Sequence, residues 1–436
     1  MKRNLLLCTA LLALSAQAAN AQFLNRLKKR AEEAVTRKAE KAIDKTVEDP
    51  YSLKKEKAAE QPQQTQPQQT TEAPKAPAAT KTETAPAPLQ AYAKYDFIPG
   101  QNLIYSDNFA GEAMGELPAG WNSNGNGAVT KLNNFSGNWL RMDQNAVYLP
   151  GKDLATGDNF TVEFDMILDL TSKGYGFPDI FIGMIATGKV PAGDNSILTE
   201  QYGIKSFHLD ISPGSSGSTN LRFAAEKGRT VYFRSPVKSY KVLEAYYGKP
   251  AHIAIQAQKE RLRLWINGDK IIDAPKALPV GDVFNQLFFK ISSSNYTNEQ
   301  LGIYVGNISV AQGAPDLRNK LVNEGRFSTS GILFDVNTAT IKPESAGVLQ
   351  EIANVLKENP AINVRIVGHT DADGTAAANQ KLSINRAESV KSALAETYGI
   401  SVTRMQVAGK GATQPVAPNK TETGKAQNRR VEFIKL

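Results

Sequence analysis

The sequence is poor in the side chains that most catalysis and metal binding draw on. In 436 residues, cysteine occurs once, at Cys8, and histidine three times, at His208, His252 and His369. A disulfide framework, a thiol nucleophile and a multi-histidine metal centre are therefore excluded, and neither a metal nor a cofactor is expected. Long apolar runs are also missing: residues 5–14 form an apolar stretch broken only by Thr9, well short of the roughly 20 residues a membrane-crossing helix needs. No sign of charge dominates, since 51 Lys and Arg against 43 Asp and Glu give +8. That bias suits an acidic matrix or membrane surface and does not call for nucleic acid. At roughly 150 residues per domain, the length points to two or three domains.

The cationic start Met1-Lys2-Arg3, the short apolar run and the small residues Ala19 and Ala21 read as a secretory signal peptide over residues 1–21. Cleavage after Ala21 would remove Cys8. That residue is a poor lipoprotein acceptor, because it stands at the front of the apolar run without a small residue before it. Residues 22–49 carry Phe23, Leu24, Leu27, Ala31, Ala34 and Val35 at spacings of three and four, which predicts an amphipathic helix. Its polar face mixes Lys28, Lys29 and Arg37 with Glu32, Glu33 and Glu40, favouring a solvated or weakly self-associating helix over one lying on lipid. Residues 50–94 are Pro, Gln, Thr, Ala and Lys with almost no large apolar side chain, the composition of a disordered linker. Thirty such residues at about 3.1 Å each reach on the order of 90 Å.

From residue 95 to 313 short alternating segments predict an all-β sandwich. In TVEFDMILDL, residues 161–170, Val162, Phe164, Met166 and Leu168 alternate with Glu163, Asp165 and Asp169. In residues 252–273, Asn267-Gly268 suits a type I′ hairpin turn. The segment LRLWINGDKII resembles the concanavalin A-like or laminin G jelly rolls, which implies a lectin-like module with a glycan or an outer-membrane protein as partner. An outer-membrane barrel is the competing architecture, disfavoured because Lys259 falls in the apolar phase set by Ile253, Ile255 and Ala257 and because the aromatics form no paired girdles. Glu163, Asp165 and Asp169 also invite comparison with the carboxylates of jelly-roll glycoside hydrolases, which would require a groove lined by aromatics such as Trp121, Trp139 or Tyr175. A solvated acidic face is the plainer reading of the three acids.

After residue 313 the period becomes mixed. Strands are predicted at 331–336, 362–367, 404–408 and 430–434. One helix opens at Pro343 with Leu349, Ile352, Ala353 and Leu356 inward, and a second carries Leu382, Ala387, Val390 and Leu394, giving βαβαββ. Residues 368–387 read GHTDADGTAAANQKLSINRA. This segment resembles the OmpA-like peptidoglycan-binding domain, whose pattern GHTDxxGxxxxNxxLSxxRA it matches at every specified position, and the ending NRRVEF continues the match. The resemblance covers residues 320–436. It departs at Lys425, where the family has arginine, so a bidentate contact there is in doubt.

What the resemblance implies is a non-catalytic, exported protein of the periplasm and outer membrane of a Gram-negative-type cell, bound to peptidoglycan. Asp371 follows a strand end, and Arg386 falls in the first helical turn if Ser383 is the N-cap, where the helix dipole would assist it. Together they match the ammonium and carboxylate that diaminopimelate carries on one carbon. A family residue at the first strand's exit lines the pocket, here Asn337. Asn379 pins the loop, with Thr370 and Arg430 in support. The plain alternative makes Asp371 and Arg386 an intradomain ion pair with no ligand. His369 reads as a loop hydrogen-bonding residue, and Arg365, Lys381 and Lys410 as solvated charges. The whole is a multidomain chain in which the N-terminal helix could form homo-oligomers. The competing functions are a wall-anchored glycan-active enzyme and an outer-membrane barrel with an OmpA-like domain.

Overall fold

The computed structural model describes residues 95–314 and 316–436. The signal peptide, amphipathic helix and linker expected within 1–94 lie outside the described residues.

Residues 95–313 are mostly strand and form two antiparallel eight-stranded sheets. The first runs, in spatial order, Asp269–Ala274, Arg261–Ile266, Pro250–Gln258, Asn159–Leu170, Leu301–Gln312, Phe135–Met142 and Gly127–Leu132, with Asn102–Asp107 also on Leu301–Gln312. The second is centred on Lys205–Ser212, Ile180–Ala186 and Gln286–Ile291. One apolar core lies between them. Val162, Phe164, Met166 and Leu168 point into it as the alternation predicts, and meet Ile182, Phe207 and Phe289 from the second sheet. The architecture is a sandwich of two separate sheets. The hairpin turn at Asn267-Gly268 is as expected, with both residues at positive φ (49° and 86°) between the paired Ile266 and Asp269. Lys259, however, is not in a strand: it sits at φ 53° in the turn after Pro250–Gln258, so its misfit with the apolar phase reflects a reversal of the chain.

Residues 316–436 carry a four-stranded sheet ordered Arg326–Thr329, Val431–Lys435, Val364–His369, Met405–Gly411, with the last pair parallel. The helices Ala346–Glu358 and Ala376–Glu396 bury Val348, Ile352 and Leu356, and Ala387, Val390 and Leu394, against this sheet. Two expectations are corrected. The first strand is Arg326–Thr329, whereas 331–336 is a loop with one bridge, Phe334 to Ile341, in which Gly331 packs closely against Pro99 and leaves no room for a Cβ. Two short helices are added, Leu317–Val322 before the first strand and Glu422–Asn428 between the last two, so the order is αβαβαβαβ.

The outward face of the first sheet is covered by protein. Phe97 packs edge-on against Trp265 at 5.2 Å between ring centroids, with Ala254 beside it, and Asp96 accepts the Trp265 indole N–H at 3.0 Å. A Cβ on Gly347, at the start of the first long helix, would lie 2.1 Å from the Phe97 carbonyl oxygen. Leu103, Ala311 and Ala426 form a second apolar contact, where Gln427 Nε2 donates to the Leu103 carbonyl (2.7 Å) and the Ser106 amide donates to Thr423 Oγ1 (3.0 Å). The C-terminal part is therefore seated on the sandwich through the segment 95–107.

Candidate functional site

The site is built where the strand Val364–His369 ends. Gly368 lets the long helix approach: a Cβ there would stand 2.1 Å from the Ser383 carbonyl oxygen. Ser383 is fully buried, accepts the Gly411 amide at 2.9 Å and donates to the Gln380 carbonyl, so it spaces the helix from Met405–Gly411. It is not the N-cap. Thr375 is, accepting the Ala378 amide at 3.2 Å, and the helix runs unbroken over Ala376–Glu396. Arg386 is consequently in mid-helix, three turns from the positive pole, and the dipole contribution expected for it is lost, since that effect fades beyond the first turn. Gly368→Ala is expected to overpack this junction and cost about 1–3 kcal/mol, read as a lowered urea midpoint; an unchanged midpoint would show that the junction yields freely.

The loop 370–375 is fixed from three sides. Asn379 Nδ2 donates to the carbonyls of Asp371 (3.3 Å) and Asp373 (2.9 Å), so this asparagine does pin the loop. Thr370 is buried, takes the Gly411 carbonyl with its amide and donates its hydroxyl to the Asp371 carbonyl. The fully buried Asn428 donates to Asn419 Oδ1, which accepts the Ala372 amide at 3.1 Å. Lys425 makes end-on contacts to Asp373 (2.9 Å) and Glu422 (3.5 Å), with no fork.

Asp371 and Arg386 line one cleft but do not pair. Asp371 is held by Arg429 at 2.6 Å. The ion pair that the plain alternative places between Asp371 and Arg386 is not formed; Asp371 pairs with Arg429, which the turn after Glu422–Asn428 brings in closer. Arg386 donates Nε–H to the Thr338 carbonyl at 3.0 Å and lies 4.9 Å over the Phe334 ring. Among the described residues its two terminal nitrogens have no hydrogen-bond partner. Burial, and then the charge of Arg429, push its pKa down from the usual range, with Asp371 opposing them. Two guanidiniums and one carboxylate meet here, leaving a surplus positive charge poorly solvated. Asn337 lies on the cleft wall in an exposed turn at φ 57°, which asparagine tolerates.

Arg429 was not singled out in the sequence. The pair Arg429-Arg430 signals that one faces the loop, but not which one. Arg430 turns away and is buried, donating to the carbonyls of Gln414 and Asn428. His369 is also relocated: it is the last residue of its strand, 2% exposed, and neither ring nitrogen makes a hydrogen bond, Nε2 standing 3.7 Å from Glu432. Burial would raise the Glu432 pKa, but His369 and Arg326 hold it down at about 2. Arg365, Lys381 and Lys410 are exposed, as expected.

The acids of the sandwich are corrected as well. Asp169 is exposed, whereas Asp165 is buried opposite His252 on the neighbouring strand. His252 Nδ1 meets Asp165 Oδ1 at 2.8 Å, its Nε2 lies 3.5 Å from Glu163, and Asn307 donates to Asp165 Oδ2 at 2.8 Å. The face is covered instead of solvated, because the C-terminal part is seated on it. Of the three aromatics considered for a groove above these acids, Trp139 lines the cleft with them, Trp121 joins the core and donates to Asp107, and Tyr175 packs on Tyr296 elsewhere.

Residues 333–429 match the OmpA family and form an OmpA family domain. Over 104 residues the chain is 46% identical to the probable lipoprotein YiaD of Escherichia coli, a match covering 24% of this chain and 47% of that protein. Over 106 residues it is 42% identical to the outer-membrane lipoprotein YfiB of Pseudomonas aeruginosa, covering 24% of this chain and 62% of the relative. The chain thus spans about half to three fifths of the length of these relatives. Among solved structures, the peptidoglycan-associated lipoprotein of Burkholderia pseudomallei is 32% identical over 25% of this chain and 89% of that one, with a TM-score of 0.23.

Proposed function

We propose that the chain is a non-catalytic protein of the cell envelope that grips peptidoglycan through the diaminopimelate of its stem peptide and thereby fixes a β-sandwich to the wall. The observation that carries this reading is the state of Arg386: its guanidinium is partly desolvated, repelled by Arg429, and has both terminal nitrogens free among the described residues. A cation in that state gains most from a carboxylate, which its fork can accept in two parallel bonds. Asp371 beside it offers the acceptor that an ammonium on the same carbon needs, with Asn337 on the facing turn and Thr370 and Asn379 supporting the loop. The match of residues 333–429 to the OmpA family supports the same reading.

In this reading residues 95–313 are a jelly-roll, lectin-like module for a glycan or an outer-membrane protein, and 320–436 bind the wall. A glycan-active sandwich is disfavoured. Both oxygens of Asp165 are committed to His252 and Asn307, which leaves it poorly placed as an acid or nucleophile.

The test exchanges the diamino acid. The full chain is titrated with a stem tripeptide ending in diaminopimelate and with the same peptide ending in lysine, which keeps the ammonium and lacks the carboxylate. Tighter binding of the first by at least about tenfold is expected. Equal binding of the two would remove the basis for the proposal.

A further inference from the structure

The cleft that holds Asp371 and Arg386 is larger than one amino acid requires, and half of it belongs to the sandwich. Its volume is about 920 Å³, and its far wall is the outward face of the first sheet, with Trp139, Glu163, Asp165, His252 and Asn307. That is near the upper end of the range for small-molecule sites, roughly 300–1,000 Å³.

The residues lining the cleft also carry buried polar atoms that lack a close hydrogen bond. Buried side-chain atoms without a hydrogen-bond partner occur on seven described residues, and three of those residues, Trp139, His252 and His369, are each more than nine-tenths buried and line this cleft. Glu344, whose Oε2 is also unpartnered, lines it too. The indole of Trp139 is laid flat by Gly306, where a Cβ would meet the ring at 3.0 Å, and it is steadied by Phe135, so its N–H cannot easily turn to another partner. His252 Nε2 and His369 Nε2 each stand near a carboxylate, at 3.5 and 3.7 Å, so the atoms left wholly unmet are the Trp139 indole N–H, His369 Nδ1 and Glu344 Oε2; buried polar groups in proteins are normally satisfied, and such orphans beside one cleft mark the place of a partner.

The chemistry of the wall says what kind of partner. His252 lies between Glu163 and Asp165 and offsets one of the two carboxylates, while Lys342, which also lines the cleft, acts on Asp165 and offsets much of the other, so no strong demand for a further counter-ion is left. What remains unsatisfied on the residues lining the cleft is the buried Trp139 indole N–H and the buried Glu344 Oε2, beside the exposed carboxamide of Asn307, a mixed set that suits hydroxyl and acetamido groups.

We propose that the outward face of this sheet is the second wall of the peptidoglycan site, where Trp139 and Asn307, with Glu344 opposite, receive the N-acetylated amino sugars joined to the stem peptide. This rests on the placement of diaminopimelate at Asp371 and Arg386. The sandwich is then part of the wall-binding site as well as its cargo.

The experiment titrates the full chain with two ligands, the diaminopimelate tripeptide alone and the same tripeptide carrying its disaccharide. The sugar-bearing ligand is expected to bind about tenfold tighter, and both Trp139→Phe and Glu344→Gln are expected to abolish most of that advantage while leaving the sugar-free peptide unaffected. Glu344→Gln changes a partly exposed group that makes no hydrogen bond through Oε2, so it keeps the test decisive should the buried tryptophan variant fold poorly. Equal affinity for the two ligands, or variants that leave the sugar advantage intact, would overturn this inference alone. Failure of the sugar-free peptide to bind would instead overturn the reading beneath it.

Discussion

Arg386→Ala, made in the full chain, is expected to lose at least roughly thirtyfold in affinity for the diaminopimelate tripeptide. Removing one partner of a desolvated charge pair costs about 2–5 kcal/mol, and each 1.4 kcal/mol is about tenfold. The wild-type arginine is already fixed by its Nε bond to Thr338 and its seat over Phe334, so little ordering cost is paid when the ligand arrives. Arg386→Lys should recover only part of the loss, because an ammonium cannot fork onto a carboxylate. Asp371→Asn is expected to weaken binding to a similar degree while also releasing Arg429, which turns the loss of an ammonium acceptor into a surplus of positive charge. Folding should survive, since these side chains stand at a loop and a helix surface and the apolar layer beneath is untouched. Added salt should weaken binding only in part, because the groups are half shielded. Calorimetric titration with circular dichroism decides the matter: folded variants with wild-type affinity would reduce Asp371 and Arg386 to structural charges.

The second large effect is on stability. His252→Ala is expected to cost about 3–5 kcal/mol, the range for removing one member of a buried ionic cluster and stranding the rest. Burial alone would lower the His252 pKa, but the hydrogen bonds and charges of Asp165 and Glu163 raise it to about 10. Burial would likewise raise Asp165, and His252, Lys342 and Asn307 together hold it below its ordinary value. The sign follows from linkage. A histidine with its folded pKa above the unfolded value of about 6.5 gives its full stabilisation below that value and loses it as pH rises toward about 10. Asp165 contributes above about pH 4 and loses its contribution as pH falls through its depressed folded value. Urea unfolding of the wild type should therefore show stability declining from about pH 6.5 to 10, and His252→Gln should flatten that decline. An equal decline in the variant would mean that the imidazole is neutral in the folded protein.

Much of the fold could be read from short-range pattern, because that pattern is enforced locally. Val162, Phe164, Met166 and Leu168 had to share a face once the segment was a strand, and Asn267-Gly268 had to turn because both residues adopt positive φ without strain. The glycines and small residues of 368–387 specified a helix packed closely on a strand end, since Gly368 and Ser383 leave no room for anything larger. The loop's polar scaffold was also legible: Asn379 did what a buried carboxamide beside two free carbonyls must do.

Pairings across long separations were decided only in three dimensions. Asp371 and Arg429 are 58 residues apart and meet because a short helix returns the chain to the strand end; Asp165 and His252, 87 residues apart, meet because their strands pair in one register. The helix start at Thr375 was likewise a tertiary outcome, since packing on Gly368 and Gly409 keeps Ser383 helical where its own side chain would suit a cap. An alternating sandwich and a family-like loop carrying a carboxylate and a guanidinium follow from residue pattern alone. Seating the C-terminal part on the first sheet was left to the tertiary structure, because covering a polar face depends on Phe97, Gly347 and Ala426 finding partners far along the chain, and no local period records that.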